Sequence, residues 1–143
     1  MNKNYMELEI PSKNGNESFV RNTVANFVAL LDPTVEELND IRAAVSEAVT
    51  NAILHAYPDK IGKITIRCRI LKDDMLYITV KDNGVGIENV DRAMRPMYTT
   101  GGAERSGMGF TIMQSFMTEC KVLSQVGKGT TVHMKKHIVP RKP

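Results

Sequence analysis

The sequence predicts an α+β domain, a two-layer α/β sandwich whose mixed, mostly antiparallel sheet is covered on one face by helices. Three observations predict it. Short stretches alternate apolar and polar residues, and two of them are joined by a tight turn. Two longer stretches carry apolar residues at helical spacing. A threonine–glutamate capping signature opens the second of these.

Each element has its own reason. Tyr5 to Ile10 alternates around Met6, Leu8 and Ile10 and reads as a strand at a sheet edge or an interface. Pro11 to Asn16 is a turn-rich break. From Glu17 to Leu31, Phe19, Val20, Thr23, Val24, Phe27, Leu30 and Leu31 recur at helical spacing, with Arg21 and Asn22 on the wet side. Asp32-Pro33 ends that helix. Thr34, with Glu37 three positions on, caps a central helix that can run to about Tyr57, before Pro58. Lys63 to Ile70 alternates, with Ile64, Ile66, Cys68 and Ile70 on one face and Thr65, Arg67 and Arg69 on the other. Lys72-Asp73-Asp74 is a turn, and Met75 to Lys81 is the return strand with Leu76, Ile78 and Val80 inward. Asp82 continues that inward parity. Glu88 to Met94 is a short helix, Arg95 to Ser106 a lid-like loop, and Phe110 to Met117 an apolar helix. Two strands, about Lys121 to Gln125 and Thr130 to Lys135, flank a turn at Gly127-Lys128-Gly129, and the tail from His137 reads as frayed.

Composition bounds the function. At 143 residues, 42% hydrophobic and 24% charged, the chain reads as one domain spanning 1–143 with a real core. A net charge of +3 without a basic run argues against direct nucleic-acid binding. Cys68 and Cys120 lack metal spacing and read as small core residues with free thiols, as expected in a reducing compartment. The N-terminus lacks the apolar core of a signal peptide and no run is long enough to span a membrane, so a cytoplasmic location is expected.

The chemistry gathers on the central helix. Glu47 and Asn51 lie one turn apart and project from the same side. At about 100° per residue, Leu38, Ile41, Val45, Val49 and Ala52 form a dry stripe nearly opposite them. An acid and an amide on a polar face, taken alone, read first as a solvated outer face. Two glycine motifs change the balance: Asp82-Asn83-Gly84-Val85-Gly86-Ile87 and Gly107-Met108-Gly109-Phe110. Gly84 and Gly86 let the backbone turn sharply and approach a flat ligand, although most such glycines only make turns. Gly107 and Gly109 sit at a helix start, where free N–H groups favour phosphate. Asp82, an inward carboxylate beside glycines, suits an exocyclic amine such as adenine carries. Thr130 could share that pocket, or serve only as a strand former.

In order and spacing, Glu47-Ala-Val-Thr-Asn51 resembles the N box, Asp82-Asn-Gly-Val-Gly86 the first glycine box, and Gly107-Met-Gly109 the second glycine box of the GHKL (Bergerat-fold) ATPases. The resemblance runs over nearly the whole chain. Sensor histidine kinases of that family carry a phospho-acceptor histidine on a separate helical domain, and gyrase-like and mismatch-repair members carry a transducer domain. Neither is expected here. Ser-Glu-Ala-Val-Thr-Asn-Ala-Ile, His-Ala-Tyr and Tyr98-Thr-Thr-Gly-Gly-Ala-Glu-Arg-Ser-Gly-Met-Gly-Phe are similar to the bacterial anti-sigma serine kinases, and fit their sporulation branch better than the stress-response one.

The resemblance implies that ATP, or ADP after transfer, is bound with Mg²⁺. It implies Asn51 as the metal ligand and Asp82 as acceptor of the adenine amine. Gly84 and Gly86 would admit base and ribose, and Gly107 and Gly109 would present N–H groups to the phosphates. Thr99, Thr100, Gly101 and Ser106 would belong to a lid, with Arg105 meeting the γ-phosphate. Glu47 would be the general base toward a serine of a partner. The implied partners are sigma factor F, held inactive, and its antagonist SpoIIAA, an anti-anti-sigma protein phosphorylated on serine. Arg21 is the candidate partner contact, and the first strand the candidate surface of a homodimer. A binding module with little kinase activity, and a free-standing ATP hydrolase, remain as alternatives.

Overall fold

The computed structural model describes residues 2–94 and 109–139. Five strands form one sheet: β1 (Asn2–Pro11), β2 (Lys63–Leu71), β3 (Met75–Asp82), β4 (Glu119–Gln125) and β5 (Gly129–His137). Their order is β1-β2-β3-β5-β4, and every pairing is antiparallel, so the sheet is not mixed. β1 is an edge strand, as its isolated alternation predicts. β5 takes the inner place beside β3 and leaves β4 at the other edge. Side-chain chemistry explains that choice, because β5 buries Val132 and Met134 while β4 buries Val122 alone.

Helices cover one face. They are α1 (Asn16–Val28), α2 (Val35–Asn51), α3 (Val90–Ala93) and α4 (Gly109–Phe116). Thr34 and Glu37 close the expected capping box, with Glu37 N–H donating to Thr34 Oγ1 at 3.0 Å and Thr34 N–H donating to Glu37 Oε1 at 2.8 Å. α2 contacts both α1 and α4. Its dry stripe is Ile41, Ala44, Val45, Ala48 and Val49, so two alanines join the expected set and Leu38 is only half-buried. These small residues let α2 lie close to its neighbours. Under it, Ile64, Ile66, Cys68, Leu76, Ile78 and Met134 are fully buried. Removing each large apolar side chain from water contributes about 1.5–3 kcal/mol. Burial pushes the Cys68 thiol up to about 12 and the Cys120 thiol up to about 11, which keeps both free thiols protonated and inert.

Three further expectations change. On α1 the buried stripe is Val20, Val24 and Val28, whereas Phe19 and Leu30 are exposed. Spacing alone allowed two adjacent faces, and the β-branched one packs. α2 does not stay α-helical to Tyr57 but widens into a π-helical turn over Ala52–Ala56. Directly after His137, Ile138 and Val139 are docked rather than frayed. Ile138 is fully buried, its N–H donates to the Asp74 carbonyl at 3.2 Å, and Val139 N–H donates to Glu37 Oε2 at 3.3 Å. No helix among the described residues is long and apolar enough to cross a membrane.

The docked tail carries a prediction. Ile138→Ala leaves a cavity at the sheet margin and lowers stability by about 2–4 kcal/mol in urea unfolding. A loss under about 0.5 kcal/mol, the range of surface changes, would contradict the docking.

Candidate active site

Asp82 ends β3 with its carboxylate turned inward and 7% exposed. Oδ1 accepts from the Gly84 N–H at 3.0 Å and from the Thr130 N–H at 3.2 Å. Burial raises the Asp82 pKa, and the Gly84 and Thr130 donors pull part of the way back. A carboxylate has about four lone-pair sites, so two donors leave acceptor capacity for a third. Thr130 therefore meets Asp82 through its backbone. Its hydroxyl is 2.7 Å from Ser124 Oγ, which donates to the Gly129 carbonyl at 3.1 Å and accepts from Ile87 N–H at 2.7 Å.

The first glycine motif is wedged between two pieces of backbone. Val85 N–H donates to the Ala56 carbonyl at 2.9 Å, and Gly127 N–H donates to the Val85 carbonyl at 2.9 Å. A Cβ on Gly84 would overlap the Ala56 carbonyl, and one on Gly86, at φ 78°, would overlap the Gln125 carbonyl. The sequence suggests glycine for close approach to a ligand. The structure adds a nearer cause, which is close approach of the chain to itself. The π turn supplies the Ala56 carbonyl, so the end of α2 and the loop after β3 form one unit.

Glu47 and Asn51 stand four residues apart on α2, each half-buried, just before that π turn. The amide oxygen of Asn51 is a hard donor suited to Mg²⁺, an ion that draws its other ligands from phosphate and water rather than from a protein cage. The donor set fits a nucleotide-borne metal. Gly109 opens α4. Thr99, Thr100, Gly101, Arg105, Ser106 and Gly107 lie outside the described residues.

Arg21 is not simply on a wet face. It is half-buried, with Nε 3.7 Å from Glu17 Oε2 and a guanidinium nitrogen donating to Ser18 Oγ at 3.3 Å. Two residues escaped the sequence reading. Ser124 faces Thr130 across the terminal hairpin, and hairpin register could have paired them. Tyr57 lay in view in His-Ala-Tyr, but nothing in the sequence told where its hydroxyl points.

A histidine kinase-like ATPase domain model matches residues 10–136. The chain belongs to that family. It is 56% identical to the anti-sigma F factor of Clostridium acetobutylicum over 95% of each chain, and 59% identical to that of Caldanaerobacter subterraneus subsp. tengcongensis over 94% of each. It is 52% identical to the anti-sigma F factor of Geobacillus thermodenitrificans, over 98% of this chain and 97% of the other. Among solved structures it resembles the RsbU and RsbW domains of Rv1364c from Mycobacterium tuberculosis, with a TM-score of 0.72 and 17% identity, over 99% of this chain and 35% of that one. It also resembles the mycobacterial sensor histidine kinase MprB, with a TM-score of 0.60 and 14% identity, over 95% and 100%. At such identities these two structures speak for the fold.

Asp82 and Gly84 each generate a prediction. A raised folded-state pKa means that the folded protein binds the proton more tightly than the unfolded chain does. Ionised Asp82 therefore lowers stability above its folded pKa, and that penalty fades as pH falls through it. Asp82→Asn keeps an Oδ1 acceptor and drops the charge. Its Tm at pH 7 equals the parent's or exceeds it by up to about 4 °C, and the difference shrinks on acidification. A large loss of Tm at pH 7 would contradict this. Gly84→Ala, in contrast, lowers stability by roughly 1–3 kcal/mol in chemical denaturation, because the obstacle is backbone.

Proposed function

We propose that this chain is an anti-sigma factor that binds ATP with Mg²⁺ and, as a serine kinase, phosphorylates the protein antagonist that frees its sigma factor. The match over nearly the full length of both chains to proteins named anti-sigma F factor carries this reading. The site is compatible with it, because a polar helix face holding an acid and an amide is tied by backbone to a buried carboxylate.

Each residue has a proposed part. Asp82 accepts from the adenine amine, with Thr130 and Gly84 holding its other oxygen contacts. Gly86 shapes the loop that lies against base and ribose. Asn51 holds Mg²⁺ through its side-chain oxygen. Gly107 and Gly109 turn N–H groups toward the phosphates. Thr99, Thr100, Gly101 and Ser106 cover the nucleotide, and Arg105 offsets negative charge on the transferring group. The bound nucleotide supplies the phosphoryl group and the metal its charge neutralisation. Glu47 takes the proton that the partner's serine hydroxyl gives up on forming its bond to phosphorus. ADP is the other product.

The partner proteins are proposed to be a sigma factor F and an anti-anti-sigma protein of the SpoIIAA kind. α1 suits such contacts, since Phe19 is 55% exposed two residues from Arg21, and aromatic and arginine side chains are enriched at interfaces. β1, an open edge, is proposed as part of a homodimer surface.

The test is phosphate transfer from ATP to a purified anti-anti-sigma protein. Glu47→Ala retains ATP binding and slows transfer by about 10²–10⁴-fold, whereas Asn51→Ala loses tight binding of ATP with Mg²⁺ as well as transfer. An unmodified antagonist that still displaces the sigma factor would identify a binding module without kinase activity. Phosphate release without any protein acceptor would identify a hydrolase.

A further inference from the structure

Tyr57 closes the His-Ala-Tyr signature, and the proposed chemistry gives it no work. It is 8% exposed, directly after the π turn that carries on from Asn51. Its hydroxyl donates to the Lys63 carbonyl at 2.6 Å and accepts from the Asn83 N–H at 2.8 Å. Asn83 is the residue between Asp82 and Gly84. The phenol thus spends its one proton on the start of β2 and a lone pair on the loop after β3. Two bonds converging on one oxygen fix that oxygen in place.

The ring is held as firmly as the hydroxyl. Gly62 lies so close that a Cβ there would overlap the Tyr57 ring. Gly62 is itself pinned, since its N–H donates to Ser12 Oγ at 3.0 Å and its carbonyl accepts from Ser12 N–H at 2.9 Å. Ser12 follows β1 and is buried. An unbroken run of contacts therefore leads from the end of β1, through Gly62 and Tyr57, to the peptide joining Asp82 to Asn83. On the far side, Asp82 Oδ1 takes the Gly84 N–H at 3.0 Å, so the carboxylate's direction depends on where that loop lies.

We propose that Tyr57 is a positioning residue for purine recognition: its hydroxyl sets the 82–84 backbone and so aims the Asp82 carboxylate at the base. This rests on the nucleotide reading above and deepens it. Tyr57 touches no substrate in this account. It acts on selectivity because Asp82 distinguishes an amino group from a carbonyl oxygen on the purine, and a tilted carboxylate distinguishes them poorly. Losing the phenol also orphans Asn83 N–H and the Lys63 carbonyl, which lets the loop relax.

The test titrates ATP and GTP, each with Mg²⁺, into the full chain and into Tyr57→Phe by calorimetry, with thermal melts alongside. The expected result is an ATP Kd weakened by about tenfold, GTP binding little changed, and a preference for ATP reduced accordingly. In transfer assays KM for ATP rises and kcat at saturating ATP stays near the parent's, because the reacting end is untouched. Gly62→Ala keeps the hydroxyl but displaces the ring and reproduces the loss of preference, which guards against a phenylalanine variant that folds poorly. A folded Tyr57→Phe with the parent's ATP affinity and preference overturns the proposal. So does an equal weakening of ATP and GTP, the sign of a merely structural role. A parent chain that binds neither nucleotide overturns the nucleotide reading itself, so the two failures are told apart by the parent alone.

Discussion

The site depends on one carboxylate kept out of water. An unpaired buried charge is costly, so Asp82 can exist at 7% exposure only where backbone donors are brought to it. Gly84 and Thr130 are those donors, and they come from different parts of the chain. Thr130 reaches Asp82 because β5 lies beside β3 in the sheet. The Gly84 donor requires a tight loop after β3. The same loop is then close enough to the end of α2 for Val85 to hydrogen-bond the Ala56 carbonyl.

That contact links the two halves of the site. Glu47 and Asn51 are held by α2, whose dry face is locked onto α1, α4 and the sheet. Asp82 is held by the sheet. A regular α-helix ending at Tyr57 would present its last carbonyls elsewhere. The π turn over Ala52–Ala56 redirects them toward the glycine loop. The wide turn, the glycine at 84 and the buried aspartate are thus parts of a single arrangement, and the spacing between the polar helix face and the carboxylate follows from it.

Much of this was legible in the sequence, and the reason is physical. Strand alternation and helical stripes come from local burial, so Lys63 to Ile70 and the Thr34 capping box announce themselves. Asp82 was legible because strand parity carries through to its last residue. The π turn was not, since Ala-Ile-Leu-His-Ala suits an α-helix equally well. Nor was the need for glycine at 84, which arises from a backbone far away in the sequence. The Tyr57 hydroxyl, and the Ser124 hydroxyl toward Ile87, meet partners that only the fold selects. Ile138, one of two adjacent apolar residues in a basic tail, carries no period to read, and its burial shows only when the sheet margin is assembled.

The most direct measurement is a crystal structure of the full chain with Mg²⁺ and a non-hydrolysable ATP analogue. The account predicts the adenine amino group within hydrogen-bonding distance of the Asp82 carboxylate, and the metal on the Asn51 side-chain oxygen. A nucleotide seated on the open face of the sheet, by Tyr77, His133 and Lys135, or a metal with no contact to Asn51, would contradict it.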